Sequence, residues 1–212
     1  LGPDRSNLLL ITSRMTKGES FAHVTVSKDI AEAILLSSKT SNNAMVFPLF
    51  QSGVSSGSNL QFKFGENQQF TFTEFFMNEV KRVTGMRMLQ EHRGDLETSI
   101  GAEDLFDYIF SILHSPTYRK SYQEFLKRDF PRIPLPANPR LFSELASLGD
   151  ELVVLHLLES KVLSNLITTI VGDGELQVQK ASYSDETVWI DKAKTRGFKG
   201  VSEDVWNFHI GG

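Results

Sequence analysis

The nine residues PRIPLPANP, 131–139, constrain the fold of this chain more than any other stretch, because four of them are proline. Proline has no backbone N–H and holds the residue before it in an extended conformation, so no helix can run through this segment. The apolar patterns on its two sides therefore belong to separate helices joined by an extended connector. Before it, Leu105, Phe106, Ile109, Phe110, Ile112 and Leu113 form a broad apolar stripe at helical spacing. Ser115-Pro116 then opens a second helix, with serine as cap and proline in the first helical position. Tyr118, Tyr122, Phe125 and Leu126 continue the helical spacing up to the connector. After it, a helix is predicted over about 139–160, with Leu141, Leu145, Leu148, Leu152 and Leu155 turned inward.

β-type patterns flank this helical middle. Asn7–Thr12 reads as a short apolar strand and 15–20 as a turn. In 21–26, Phe21, His23 and Thr25 alternate with Ala22, Val24 and Val26. Ala33–Leu36 and Ala44–Phe50 are further apolar segments, and Pro48 marks the second as an edge or a bulge. The Ser/Gly-rich run at 51–59 is predicted to be a surface loop. A helix over 72–84 follows, capped by Thr73, with Phe76, Val80 and Val83 on one face. Strand patterns return at 168–171, 176–183 and 187–190, and Ser202 is placed to open a short last helix. The expected class is α+β: a β-rich N-terminal part, a central segment of three or four helices and a β-rich C-terminal part, forming one domain over 1–212.

Composition narrows the function classes. With 40% hydrophobic and 23% charged residues, the chain is globular. No apolar run approaches the ~20 residues of a membrane span, and no signal-peptide pattern opens the chain. The absence of cysteine excludes disulfides and thiolate metal sites. The net charge of −4 means that any nucleic-acid binding must come from local patches. A start at Leu1 and an end at Ile210-Gly211-Gly212 read as a piece of a longer polypeptide.

The common catalytic signatures GxxxxGK[ST], GxGxxG, HExxH and GxSxG do not occur. The five histidines, 23, 92, 114, 156 and 209, do not have metal-ligand spacing. Asp173, Glu175, Gln177 and Lys180 lie across a hairpin turn, in the manner of some metal-dependent nucleases. The spacing is loose, however, and a Gly-Asp-Gly turn needs its aspartate for its own hydrogen bonds, so the segment reads first as a turn.

Three stretches could touch a polyanion. Between 118 and 132, Arg119, Lys120, Lys127, Arg128 and Arg132 outnumber Glu124 and Asp129. This is either a solvated face carrying pairs such as Lys120–Glu124, or a set of phosphate contacts. Lys81, Arg82, Arg87 and Arg93 pose the same alternative. The polar run SSKTSNN, 37–43, is the third. Asparagine pairs bidentately with an adenine edge, and Lys, Ser and Thr reach phosphates or guanine. The same composition also makes an ordinary solvated turn.

Three longer stretches resemble a known family: DLFDYIFSILHSPTYRKSYQEFLKRDFPRIPLP at 104–136 with LFSELASLGDELVVLHLLE at 141–159, VFPLF at 46–50, and GVSEDVWNFHIGG at 200–212. They are similar to the C-terminal specificity (target recognition) domain of type ISP restriction-modification enzymes and related adenine-specific DNA methyltransferases. The resemblance covers nearly the whole chain. It implies a non-catalytic module that reads double-stranded DNA in the bacterial cytoplasm, not at a membrane. It further implies a methyltransferase domain of the same polypeptide as partner. No cofactor is expected in this chain; S-adenosylmethionine, ATP and Mg belong to other domains of the full-length protein. Family members continue past 210–212, and 51–68 falls where variability is expected, so no contacts carry over there.

On side-chain chemistry, Arg14, Asn42 and Asn43 are the expected readers of base edges. Lys17, Lys39, Lys127, Arg128 and Arg132 are the expected phosphate contacts, with Ser38, Thr40 and Ser41 as further DNA-binding residues of the 37–43 loop. The competing expectations are a free-standing metal nuclease using Asp173 and Glu175, and a docking domain that packs on a methyltransferase.

Overall fold

The computed structural model describes residues 7–16, 18–38, 42–52, 68–89 and 93–211. The chain divides into two compact units, Leu1–Ser160 with Ile210–Gly212, and Lys161–His209.

The first unit begins with an antiparallel sheet. Strand β1 (Leu9–Ser13) is central, between β2 (Val24–Ser27) and β3 (Ala44–Pro48). Val24 and Val26 on β2 are buried and alternate with half-buried Thr25 and Ser27, whereas the central β1 is covered on both faces: Thr12 is buried on the side of Val24, and Ile11 on the opposite side, with Thr25. β2 starts later than the alternation of 21–26 predicts, and Phe21 and His23 are instead buried in the connection before it. The apolar segment 33–36 forms turns and no strand, leaving Ile34 and Leu35 exposed. β3 is an edge strand, as Pro48 suggests, and Met45, Val46 and Phe47 are about 40% exposed or more, so Ala44–Pro48 is not a core strand.

β4 (Phe50–Ser52) pairs with β5 (Gln68–Phe70). Helix α1 (Glu74–Thr84) starts where the sequence places it: Thr73 Oγ1 accepts from Phe76 N, and Gly85 ends the helix at φ 69°. Two short parallel strands, β6 (Arg87–Met88) and β7 (Ser99–Ile100), lead into α2 (Ala102–His114), whose flanks are buried almost all round.

After α3 (Pro116–Ser121), capped by Ser115, and the single turn α4 (Gln123–Leu126), the proline connector runs to α5 (Pro139–His156). The connector's carbonyls find donors on the neighbouring helices: Tyr118 Oη donates to Arg132 O and Tyr108 Oη to Pro134 O, each at 2.8 Å. A segment poor in N–H groups still has acceptors to satisfy, and buried tyrosines satisfy them.

Helices α2 and α5 form the core. Tyr108 and Phe142 rings meet at 5.1 Å. The buried face of α5 is Phe142, Ala146, Gly149 and Val153. The predicted leucine face is displaced: Leu141 and Leu148 are exposed, and Leu145 and Leu152 are only partly buried. The reason is close approach. A Cβ on Gly149 would lie 1.9 Å from Asp107 O, so the helices touch through small residues and the leucines are pushed to the flanks.

The second unit is a four-stranded antiparallel sheet. A 3₁₀ turn (Lys161–Ser164) precedes β8 (Thr169–Val171), β9 (Ser182–Ser184), β10 (Thr187–Trp189) and β11 (Gly197–Lys199), in the order β8-β11-β10-β9. The long strand expected over 176–183 shortens to β9. β9 and β10 join through Asp185 and Glu186, both near φ +54°, the backbone of a tight two-residue hairpin. Helix α6 (Glu203–Asn207) follows Ser202, whose side chain makes no capping bond.

Candidate nucleic-acid interface

The predicted DNA-contacting residues of the first unit divide into those that converge and those that do not. Ser13 pairs with Ala44 across β1 and β3, which places Arg14 and Asn43 at one end of the sheet. The stretch after α4 lies along the same end: Thr16 N donates to Lys127 O, and Arg14 Nε donates to Asp129 Oδ1 at 3.3 Å. Phe130 meets Phe47 of β3 edge to face at 5.7 Å. Arg14, Asn43, Lys127, Arg128 and Arg132 thus share one edge, although more than eighty residues separate their two segments.

The edge is cationic in part only. Lys127 Nζ pairs with Glu124 at 2.7 Å, and Arg14 with Asp129. The Asp129 carboxyl is held below its ordinary range, first by the Phe130 N–H and further by Arg14. Both pairs are solvent-exposed and contribute little to stability. Among the described residues, Arg128 and Arg132 have no carboxylate at ion-pair distance. The Arg132 guanidinium stacks 4.8 Å from the Phe125 ring centre, which fixes its direction without neutralising it. Asn43 is exposed, as is Ser38. Lys17, Lys39, Thr40 and Ser41 lie outside the described residues.

Asn42 corrects the expectation. Its side chain is fully enclosed, and its amide donates to Glu19 Oε2 at 2.9 Å and to Thr16 O at 3.3 Å. Glu19 also meets the buried His23 ring at 3.2 Å. Asn42 therefore ties Thr16 to Glu19 and has no face for a base edge, because a buried amide is committed to the partners it has.

Arg93, in the second basic stretch, is also elsewhere than a polyanion would need it. It reaches Asp107 at 2.6 Å, Asp150 at 3.0 Å and Glu103 at 3.1 Å, with Asp104 at 3.6 Å. Burial disfavours the charged guanidinium, but the surrounding carboxylates win and raise its pKa. Burial in turn pushes the Asp104 carboxyl up, against the N–H groups of Gly94 and Gly101 that bond it. Arg82 pairs with Glu79 on α1.

Behind the edge runs an apolar groove of about 590 Å³, between Leu10, Phe47, Pro48, Ile109, Leu113 and Ile133. Sequence reading misses it, because its walls come from distant segments and each wall reads alone as core.

The remaining candidates separate likewise. Among the described residues, no group of three or more His, Asp or Glu is placed to hold a metal ion. Arg196 Nη1 donates to Glu175 O at 2.6 Å, so the turn at 172–175 buttresses the second unit. His114 and His156 rings meet at 5.0 Å beside Phe110.

The geometry is that of a binding edge: exposed, direction-fixed cations and an exposed amide on the end of a sheet. Residues 2–212 match the Type ISP C-terminal specificity domain, and the chain belongs to that family. No curated protein matches the chain. Among solved structures, the fold is similar to one titled as the cryoEM structure of a DrdV–DNA complex, at 20% identity and TM-score 0.66, over 97% of this chain and 19% of that one. It is also similar to the ATP-dependent Type ISP restriction-modification enzyme LlaBIII bound to DNA, at 19% identity and TM-score 0.68, over 97% of this chain and 12% of that one. A nuclease-deletion mutant of the Type ISP restriction-modification enzyme LlaGI, in complex with a DNA substrate mimic, gives 20% identity and TM-score 0.62, over 97% of this chain and 16% of that one. These identities establish likeness of fold. The chain spans less than a fifth of each of those proteins.

Proposed function

We propose that this chain is the double-stranded DNA target-recognition module of a bacterial restriction-modification enzyme. It directs adenine-N6 methylation and ATP-dependent cleavage that other domains of the polypeptide carry out. The observation that carries the reading is the family match over 2–212, and the Arg14–Arg132 edge supplies a surface with the right chemistry. On this reading Asn43 and Arg14 read base edges, and Lys127, Arg128 and Arg132 hold phosphates. The module itself is non-catalytic. S-adenosylmethionine, ATP and Mg serve the other domains, and the complete protein works in the cytoplasm.

Selection of bound duplexes from a random DNA pool by the full-length protein tests this. A single enriched asymmetric site is expected, with Asn43→Ala relaxing one of its positions. A protein that enriches nothing at low salt is not a target reader.

A second role rests on the exposed apolar side chains of the second unit, Leu166, Ile167, Ile170, Val178 and Phe208. They suit docking against the methyltransferase domain of the same polypeptide. That role is compatible with DNA reading.

A further inference from the structure

The second unit carries its charge differently from the first. Between 192 and 199 the sequence has Lys192, Lys194, Arg196 and Lys199 and no carboxylate. Among the described residues, no ion pair forms anywhere in this unit. The first unit pairs Arg14, Lys28, Arg82, Arg93, Lys127 and Arg140 with acids.

The cations cluster on the β10–β11 loop, and the loop is built to hold its shape. The neighbouring acid, Asp191, is buried and turned inward. Its carboxylate accepts from Thr195 Oγ1 at 2.6 Å, Thr195 N at 3.0 Å and Arg196 N at 3.1 Å, and these bonds, the hydroxyl's first, hold its pKa down. Ile190 N donates to Arg196 O across the loop mouth. Lys194 has a left-handed backbone, φ 54°, which a non-glycine residue keeps only where its surroundings impose it. The 172–174 turn closes on the loop from one side: a Cβ on Gly172 would lie 2.2 Å from Thr195 O. Arg196 is spent on Glu175 O, leaving Lys192 and Lys194 as the exposed cations at the tip. Among the described residues, Lys194 Nζ bonds the Ser184 hydroxyl, at 3.2 Å, and no carboxylate.

We propose that this loop is a second DNA-binding element, in which Lys192 and Lys194 contact backbone phosphates of duplex DNA. The inference rests on the DNA-recognition reading above and extends it to a unit in which no contact had been expected. A fixed loop loses little conformational entropy when it binds, and cations without acid partners need not break an ion pair to reach a phosphate. Phosphate contacts position a reader and do not specify sequence.

The test uses the full-length protein with Lys192→Ala/Lys194→Ala, and separately Lys127→Ala/Arg128→Ala. Affinity for target and non-target duplexes is measured by fluorescence anisotropy across a KCl series. Both loop side chains are exposed, so an unchanged thermal melt is expected; Lys192→Gln/Lys194→Gln serves as a second loop variant. Each lost phosphate contact lowers the slope of log affinity against log salt by about 0.9, so the loop variants should lose about 2 units of slope. The ratio of target to non-target affinity should stay constant, and Lys192→Arg/Lys194→Arg should restore binding. An unchanged slope in the loop variants, with a reduced one in Lys127→Ala/Arg128→Ala, overturns the loop and leaves the recognition reading standing. A collapse of the target ratio overturns the phosphate assignment. A parent protein without salt-dependent binding overturns both readings.

Discussion

Arg93 and Arg128 stand in two stretches of similar basic composition, and the fold treats them in opposite ways. Arg93 is drawn between α2, α5 and the β6–β7 connection by Glu103, Asp107 and Asp150. Arg128 stands at an exposed edge with no acid at ion-pair distance among the described residues. Arg119, between them in sequence, is a third case. It stacks over Phe21 at 5.9 Å, donates to Leu113 O and has its pKa lowered by burial. A cation's meaning therefore lies in what surrounds it. One clamps helices, one is packed, and one remains available to a ligand.

The largest expected effect breaks the clamp. Arg93→Ala leaves Asp104, Asp107 and Glu103 buried without their shared counter-charge. Loss of one partner of a buried charge set costs about 3–5 kcal/mol. Urea denaturation should show that loss in the midpoint, whereas Arg128→Ala should stay within about 0.5 kcal/mol of the parent, as exposed sites do. Equal costs at the two positions would erase the distinction.

The histidine pair beside Arg119 sharpens the same contrast through pH. Burial, with smaller contributions from Arg119 and His156, pulls the His114 pKa down to about 4, against the Phe110 carbonyl that bonds the ring. Burial lowers His156 as well. An unfolded histidine titrates near 6.5, so below that pH the unfolded chain takes up the proton first. Stability is therefore full above about pH 6.5 and falls as pH drops toward 4, by roughly 2–3 kcal/mol for His114. Asp104, raised by burial, works in the opposite direction once the pH enters the carboxylate range. His114→Gln should flatten the stability profile between pH 6.5 and 4; an unaltered profile places the acid sensitivity elsewhere.

What the sequence makes legible here is local. Thr73 and Ser115 cap the helices they were expected to cap, because capping depends on residues three apart. The prolines of 131–139 stop the helix for an equally local reason. The buried face of α5 was not legible, since Leu141 and Leu148 look inward on hydrophobicity and Gly149 wins on close approach to Asp107. The Arg14–Arg132 edge was named residue by residue, but its assembly depends on the pairing of β1 with β3 and on Phe130 against Phe47. The β9–β10 hairpin turns on Asp185-Glu186, which carries none of the Asn-Gly signal of such turns.

Asn42 and Asn43 are the same residue at adjacent positions, and composition cannot separate them. The fold does: one amide is enclosed against Thr16 and Glu19, the next is exposed beside the cationic edge. Asn42→Ala should cost about 1–2 kcal/mol of stability, because it strips buried partners of a hydrogen bond, and should leave the ratio of target to non-target binding unchanged in protein that remains folded. Asn43→Ala should leave the melting curve in place and cost about 1–3 kcal/mol of discrimination at one base pair. Thermal melts and binding to single-base-substituted duplexes read the two effects separately. Discrimination lost at Asn42 and kept at Asn43 would mean that the segment Asn42 anchors, and not the exposed amide, reads the DNA.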